Sequence, residues 1–100
     1  MYIKIHRTNT NYGIREIVAV CDEDLLGKTI KGGKIEIKIS ESFYKGEKKS
    51  ELYIIEILKK STNINLIGKE SVAAGLKAGI ISQENVIDIG GIPHAQAFSV

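Results

Sequence analysis

Arg15-Glu16-Ile17-Val18-Ala19-Val20-Cys21 is the stretch on which the fold of this chain turns. Ile17 to Val20 are apolar without alternation. A strand of that kind is covered on both faces and belongs in the middle of a sheet. Upstream, Tyr2 to Arg7 alternates, with Ile3 and Ile5 facing inward and Lys4 and His6 outward. The polar stretch Thr8 to Gly13 closes on Asn-Tyr-Gly and reads as a hairpin loop. A β-hairpin is therefore expected to open the domain.

Downstream, Asp22 to Gly27 reads as one helical turn, with Asp22 as its N-cap, Glu23 and Asp24 at its positive end and Gly27 as its stop. Gly32-Gly33 breaks the chain before Lys34 to Ser40, where Ile35, Ile37 and Ile39 alternate with Lys34, Glu36 and Lys38 as in a half-buried strand. Ser42 to Ser50 reads as a charged loop carrying Phe43 and Tyr44. Ser50 is placed to cap a helix through about Lys60, burying Leu52, Ile55 and Leu58. Thr62 to Asn65 has poor helix propensity, yet Ile64, Leu66 and Ile67 need burial, so the helix is extended through it. A second helix runs from near Lys69 to Ala78, burying Val72, Ala73 and Leu76, with Gly79 ending it. Val86 to Ile89 is a last short strand, and Gly90 to Ala97 closes the chain as a loop. The order predicts one α+β domain over residues 1–100: a small sheet of about four strands with two helices packed on one face.

Composition limits the function classes. The chain of 100 residues is 43% hydrophobic and 26% charged, too apolar for a disordered protein. Its apolar runs fall far short of the roughly 20 residues that span a bilayer. The alternation that begins at Tyr2 lacks the continuous apolar stretch of a signal peptide. Cys21 is the only cysteine, which excludes an internal disulfide and suits a reducing cytoplasm. Eighteen isoleucines with few oxidisable residues suit a heat-adapted or an A+T-rich organism. The formal net charge is +2, distributed unevenly: Lys28 to Lys49 carries +4 and leaves −2 on the remainder.

The segments MYIKIHRT, VAVCDEDLLGK, NLIGKESVAAGLKAG and IDIGGIPHAQAF, taken in order, resemble an archaeal family known as domain of unknown function 424. The closing GG-x-PHAQ is the most specific of them, while the Thr8–Gly13 loop and Asn63 and Asn65 are less typical. The resemblance implies an archaeal, cytosolic protein of about this length. It leans toward the translation and RNA-handling proteins, and it carries no activity to transfer.

The closing segment has the strongest claim to chemistry. Gly90 and Gly91 allow positive φ and close approach, and Pro93 pre-sets an extended path. The expected result is a rigid loop presenting His94 and Gln96 as a recognition surface. Its plainer reading is a tight turn whose two polar side chains hold the tail. Nothing after Gly91 reads as helical, so no phosphate cradle is expected. Seven lysines, Lys28, Lys31, Lys34, Lys38, Lys45, Lys48 and Lys49, form a candidate RNA contact, with Phe43 and Tyr44 available to stack on bases. Their plainer reading is a solvated surface and a plugged core. His6 reads as a surface residue and Cys21 as core. The Asp22-Glu23-Asp24 triplet reads as helix capping, its carboxylates pointing in different directions. No spacing of histidines and cysteines supports a metal, and no motif supports a cofactor.

Three functions are carried forward. The first is a small accessory binding protein touching RNA or a ribonucleoprotein. The second is a protein adaptor or homodimer, argued from apolar sheet surface left uncovered by two helices on one side. The third is an enzyme using His94 as acid or base with Gln96 orienting the substrate.

Overall fold

The computed structural model describes residues 1–98. Its elements in chain order are β1 (Tyr2–Thr10), β2 (Gly13–Cys21), a 3-10 turn (Glu23–Leu25), β3 (Thr29–Gly32), β4 (Ile35–Lys38), α1 (Glu41–Tyr44), β5 (Glu47–Lys48), α2 (Glu51–Lys59), β6 (Asn63–Ile67), α3 (Lys69–Ala78), a second 3-10 turn (Gln83–Asn85), β7 (Val86–Ile89) and β8 (Ile92–Phe98). The class is α+β as expected, but the main sheet has six strands rather than about four, in the order β5-β1-β2-β6-β8-β7. β3 and β4 form a separate two-stranded hairpin, and the described helices number three rather than two.

β2 lies at the centre, as its unbroken apolar run requires. It pairs antiparallel with β1 and parallel with β6, Val18 opposite Ile64 and Cys21 opposite Ile67. Val18, Ala19, Val20 and Cys21 are all buried, which demands cover on both faces. On one face Ile3, Val18, Val20, Ile64, Leu66 and Ala95 pack under Ile54, Ile55 and Leu58 of α2 and Val72 and Ala74 of α3. On the other, Ala19, Cys21 and Ile67 pack under Leu25, Ile39 and Tyr44. The second cover is therefore residues 22–46, the excursion between β2 and β5. It covers Ala19, Cys21 and Ile67, so the apolar centre of the second face is filled from within the chain.

The missed strand is β6. Asn63-Ile64-Asn65-Leu66-Ile67 alternates with period two, so Ile64 and Leu66 enter the helical core while Asn63, Asn65 and Ile67 face the other way. Pairing on both edges, with β2 and β8, outweighs any continuation of α2. β4 corrects the reading of Lys34 to Ser40: in a two-stranded hairpin only Ile39, just beyond the strand, is fully buried, and Ile35 is 45% exposed. In α2 the buried stripe is Ile54, Ile55 and Leu58, which leaves Leu52 76% exposed. Ala73 and Leu76 of α3 are half-buried, and Val72 and Ala74 take the core positions. β1 extends to Thr10, so the hairpin turn shrinks to Asn11-Tyr12, with Gly13 at φ 114°.

Asp22 is buried, and its side chain makes no capping bond to its own turn. Its Oδ2 accepts from the Glu70 N–H at 3.0 Å, and its Oδ1 from the Ser71 N–H and hydroxyl, each at 2.8 Å. It thus caps α3 from the end of the neighbouring strand. Gly68, the residue before that helix, has no side chain to do so, and a Cβ there would overlap the Asp22 carboxylate.

Gly90 and Gly91 form the turn between β7 and β8 at φ 61° and 90°. The β3–β4 hairpin crosses directly over it. A Cβ on Gly90 would run into the Lys31 carbonyl oxygen, and one on Gly32 into the Gly90 nitrogen, whereas a Cβ on Gly91 meets nothing within 4 Å. Gly91→Ala should therefore lose only the left-handed backbone penalty, about 1–2 kcal/mol. Gly90→Ala adds a backbone collision and should lose roughly 3 kcal/mol or more. Urea unfolding of both variants checks this, and equal losses would mean the crossing is not close.

Candidate functional site

The expected closing loop is β8, a strand paired on both sides. His94 lies opposite Ile67 of β6 and Ile87 of β7, and Gln96 lies opposite Asn65. The rigid ledge displaying both side chains is thereby corrected. Gly90 sits under the β3–β4 hairpin, Pro93 is within the strand, and His94 is only 8% exposed. Gln96 alone of the pair is exposed. Alternation explains the outcome: His94 and Gln96 share a face, but residues 22–46 cover only the end of it where His94 lies.

Where that cover stops, the same face opens. Ile17, Phe43, Asn63, Asn65, Gln96 and Phe98 line a groove of about 450 Å³. Ile17 supplies an apolar floor, the register sets Asn65 beside Gln96 and Asn63 beside Phe98, and Phe43 forms a wall. A second hollow continues from Asn63 and Phe98 toward Arg15, Glu16 and the hairpin end at Tyr12, and Glu16 is there paired with Arg7. Arg15 lies over the Phe98 ring at 5.6 Å from its centroid. Among the described residues no carboxylate lines the groove itself.

Its polar side is built on Asn65. The Tyr44 hydroxyl donates to Asn65 Oδ1 at 2.6 Å, and His94 Nε2 lies 3.2 Å from the same oxygen. Burial pushes the Tyr44 phenol up to about 12, so it stays a donor. Burial also lowers the pKa of His94, keeping the imidazole neutral. No described hydrogen bond uses Asn65 Nδ2, and no buried side-chain polar atom among the described residues lacks a partner, so this nitrogen reaches the open groove.

Phe43 is held by His6, whose ring stacks on it at 4.7 Å and whose Nε2 lies 2.8 Å from the Phe43 carbonyl oxygen. His6 is thus a buttress of the groove wall, far from His94 in role. Tyr44 is buried and does not stack on anything outside. Burial, reinforced by Asp22, pushes the Cys21 thiol up to about 12.

The seven lysines scatter over the 22–49 segment. Lys31 pairs with Glu36, Lys48 with Glu23 and Lys49 with Glu47. Lys28, Lys34, Lys38 and Lys45 are exposed. Lys34 sits at the β3–β4 turn and Lys38 beside Thr29, away from the groove.

A family model described as "Protein of unknown function (DUF424)" matches residues 10–100. The chain belongs to the DUF424 family. Among solved structures, an uncharacterized conserved protein from Methanopyrus kandleri matches this fold with a TM-score of 0.81 at 26% identity, covering 99% of this chain and 92% of that one. No curated protein matches. Among the described residues of this DUF424 chain, no helix is long and apolar enough to cross a membrane.

Asn63 and Asn65 are the functional candidates that the sequence reading missed. Their signal was the period-two spacing with Ile64 and Leu66, which places both amides on one face.

The lowered pKa of His94 has a definite sign. The unfolded chain, with the ordinary value of 6.5, binds the proton more readily than the folded one. Stability is therefore full above about pH 6.5 and falls as the pH drops through that value toward the lower folded one. Thermal melts between pH 7.5 and 5 should show a falling Tm, and His94→Gln should flatten that fall. An unchanged slope in the variant would contradict the assignment.

Proposed function

We propose that this chain is a non-catalytic cytosolic binding protein whose groove receives the unpaired bases of an RNA strand. One observation carries the reading: three carboxamides, Asn63, Asn65 and Gln96, lie with Phe43 and Phe98 over an apolar floor that no described carboxylate lines. Amides hydrogen-bond to base edges, aromatic rings stack on base faces, and a groove whose described lining residues carry no carboxylate lets a polyanion approach. Arg15 beside Phe98 is placed to meet a phosphate. Lys28, Lys31, Lys34, Lys38, Lys45, Lys48 and Lys49 add diffuse attraction from the neighbouring cover. The described residues of the groove offer hydrogen-bonding amides and hydrocarbon but no nucleophile or titratable group, and His94 lies behind Asn65 rather than in it.

A second reading, a protein adaptor or homodimer, is favoured by the hairpin end, where Tyr12 is 100% and Ile14 72% exposed.

Fluorescence anisotropy with labelled mixed-sequence RNA octamers decides between them. Asn65→Ala and Gln96→Ala should each weaken binding about fivefold, the worth of one hydrogen bond of about 1 kcal/mol. Because few phosphates are engaged, the salt dependence should be shallow, about 0.7 in log–log slope per phosphate. RNA binding that is indifferent to both groove substitutions would overturn the groove as its site; no RNA binding, with light scattering showing a dimer that is lost in Ile14→Lys, would favour the second reading.

A further inference from the structure

We infer that the groove reads the base edge that carries O4 of uracil or O6 of guanine, and so selects those bases over cytosine and adenine, which carry an amino group at that position. The inference rests on the RNA reading above and deepens it to a base preference.

A free carboxamide is ambivalent, since a half-turn exchanges its oxygen and nitrogen and lets it serve a donor or an acceptor equally. Asn65 is not free. Its Oδ1 takes the Tyr44 hydroxyl at 2.6 Å and faces His94 Nε2 at 3.2 Å. Turning the amide over would set Nδ2 against Tyr44. The hydroxyl proton of Tyr44, buried at the end of α1, would then lose its acceptor. That penalty holds the oxygen toward the interior and the NH2 toward the ligand. Toward the groove Asn65 is therefore a pure donor, and a donor needs an acceptor opposite it.

Uracil O4 and guanine O6 are such acceptors, while cytosine N4 and adenine N6 are amino groups that would meet Asn65 donor to donor. Gln96, exposed and without a described hydrogen bond, adapts to whichever neighbouring edge the base offers. Tyr44 and His94 act here as positioning residues. Neither touches the base, and both act through the orientation of Asn65.

The test compares oligouridylate with oligocytidylate of equal length, by anisotropy, on the intact chain and two variants. The intact chain should bind oligouridylate about tenfold more tightly, the effect of one mismatched hydrogen-bond pair. Tyr44→Phe removes the proton that forbids the half-turn and should shrink the ratio toward one while leaving oligocytidylate affinity equal or improved. Asn65→Asp replaces the donor by an acceptor and should invert the ratio in favour of oligocytidylate, whatever its charge does to overall affinity. A thermal melt of each variant establishes that it is folded, and either variant alone suffices. Equal affinity of the intact chain for the two oligomers overturns the inference and leaves the RNA reading standing. So does a ratio that neither variant changes. Failure of every oligomer to bind overturns both.

Discussion

The parallel contact between β2 and β6 is the constraint from which the architecture follows. Parallel neighbours cannot be joined by a tight turn, so the chain must leave the sheet at Cys21 and return at Asn63. Val18 and Val20 meet Ile64 and Leu66 on one face and Cys21 meets Ile67 on the other, so both faces need cover there. The long crossing meets the two demands in sequence. Residues 22–46 fold over one face, β5 attaches to the far edge, and α2 lies across the other, where α3 joins it. The crossing is held at its start by Asp22, whose carboxylate reaches the first amides of α3 and ties the cover to the helical layer. It is held at its rim by the glycine contact of Gly32 with Gly90, where two backbones pass too closely for any side chain.

The covers differ in reach. The helical layer follows β6 and β8 along their length, reaching Ile64 and Ala97, whereas the 22–46 cover ends at Phe43 and Tyr44. Beyond that boundary, positions that would otherwise be core are occupied by Asn63, Asn65, Gln96 and Phe98. The groove is thus a consequence of a short lid on a long sheet. Its chemistry is set at the boundary itself, because Tyr44 closes the core and points its hydroxyl at the first open residue, Asn65.

What was legible in the sequence follows from how local each signal is. Ile17 to Val20 announced a central strand, since doubly apolar runs have few other uses. Ser50 announced α2, and its hydroxyl oxygen accepts from the Tyr53 N–H. The GG-x-PHAQ segment announced a place where backbone shape matters, correctly for Gly90, but its function as packing against Lys31 depends on a hairpin 58 to 59 residues earlier in the chain. His94 and Gln96 look like a pair in the sequence because they are near neighbours. The edge of the cover passes between them, and nothing local to β8 records where it falls. Asn63 and Asn65 were hidden for a different reason. A polar residue every second position beside isoleucine satisfies both a weak helix and a half-wet strand, and the pairing with β2 that decides between them is a contact across more than forty residues.

The side-chain amide of Asn65 is the most direct reporter of the account, and its nitrogen can be followed by NMR in the uniformly 15N-labelled chain during titration with oligouridylate. The account predicts that the Asn65 and Gln96 side-chain NH2 signals and the Ile17 backbone amide shift together and saturate together. Shifts confined to the Lys28–Lys49 segment, with those three signals unmoved, would contradict it.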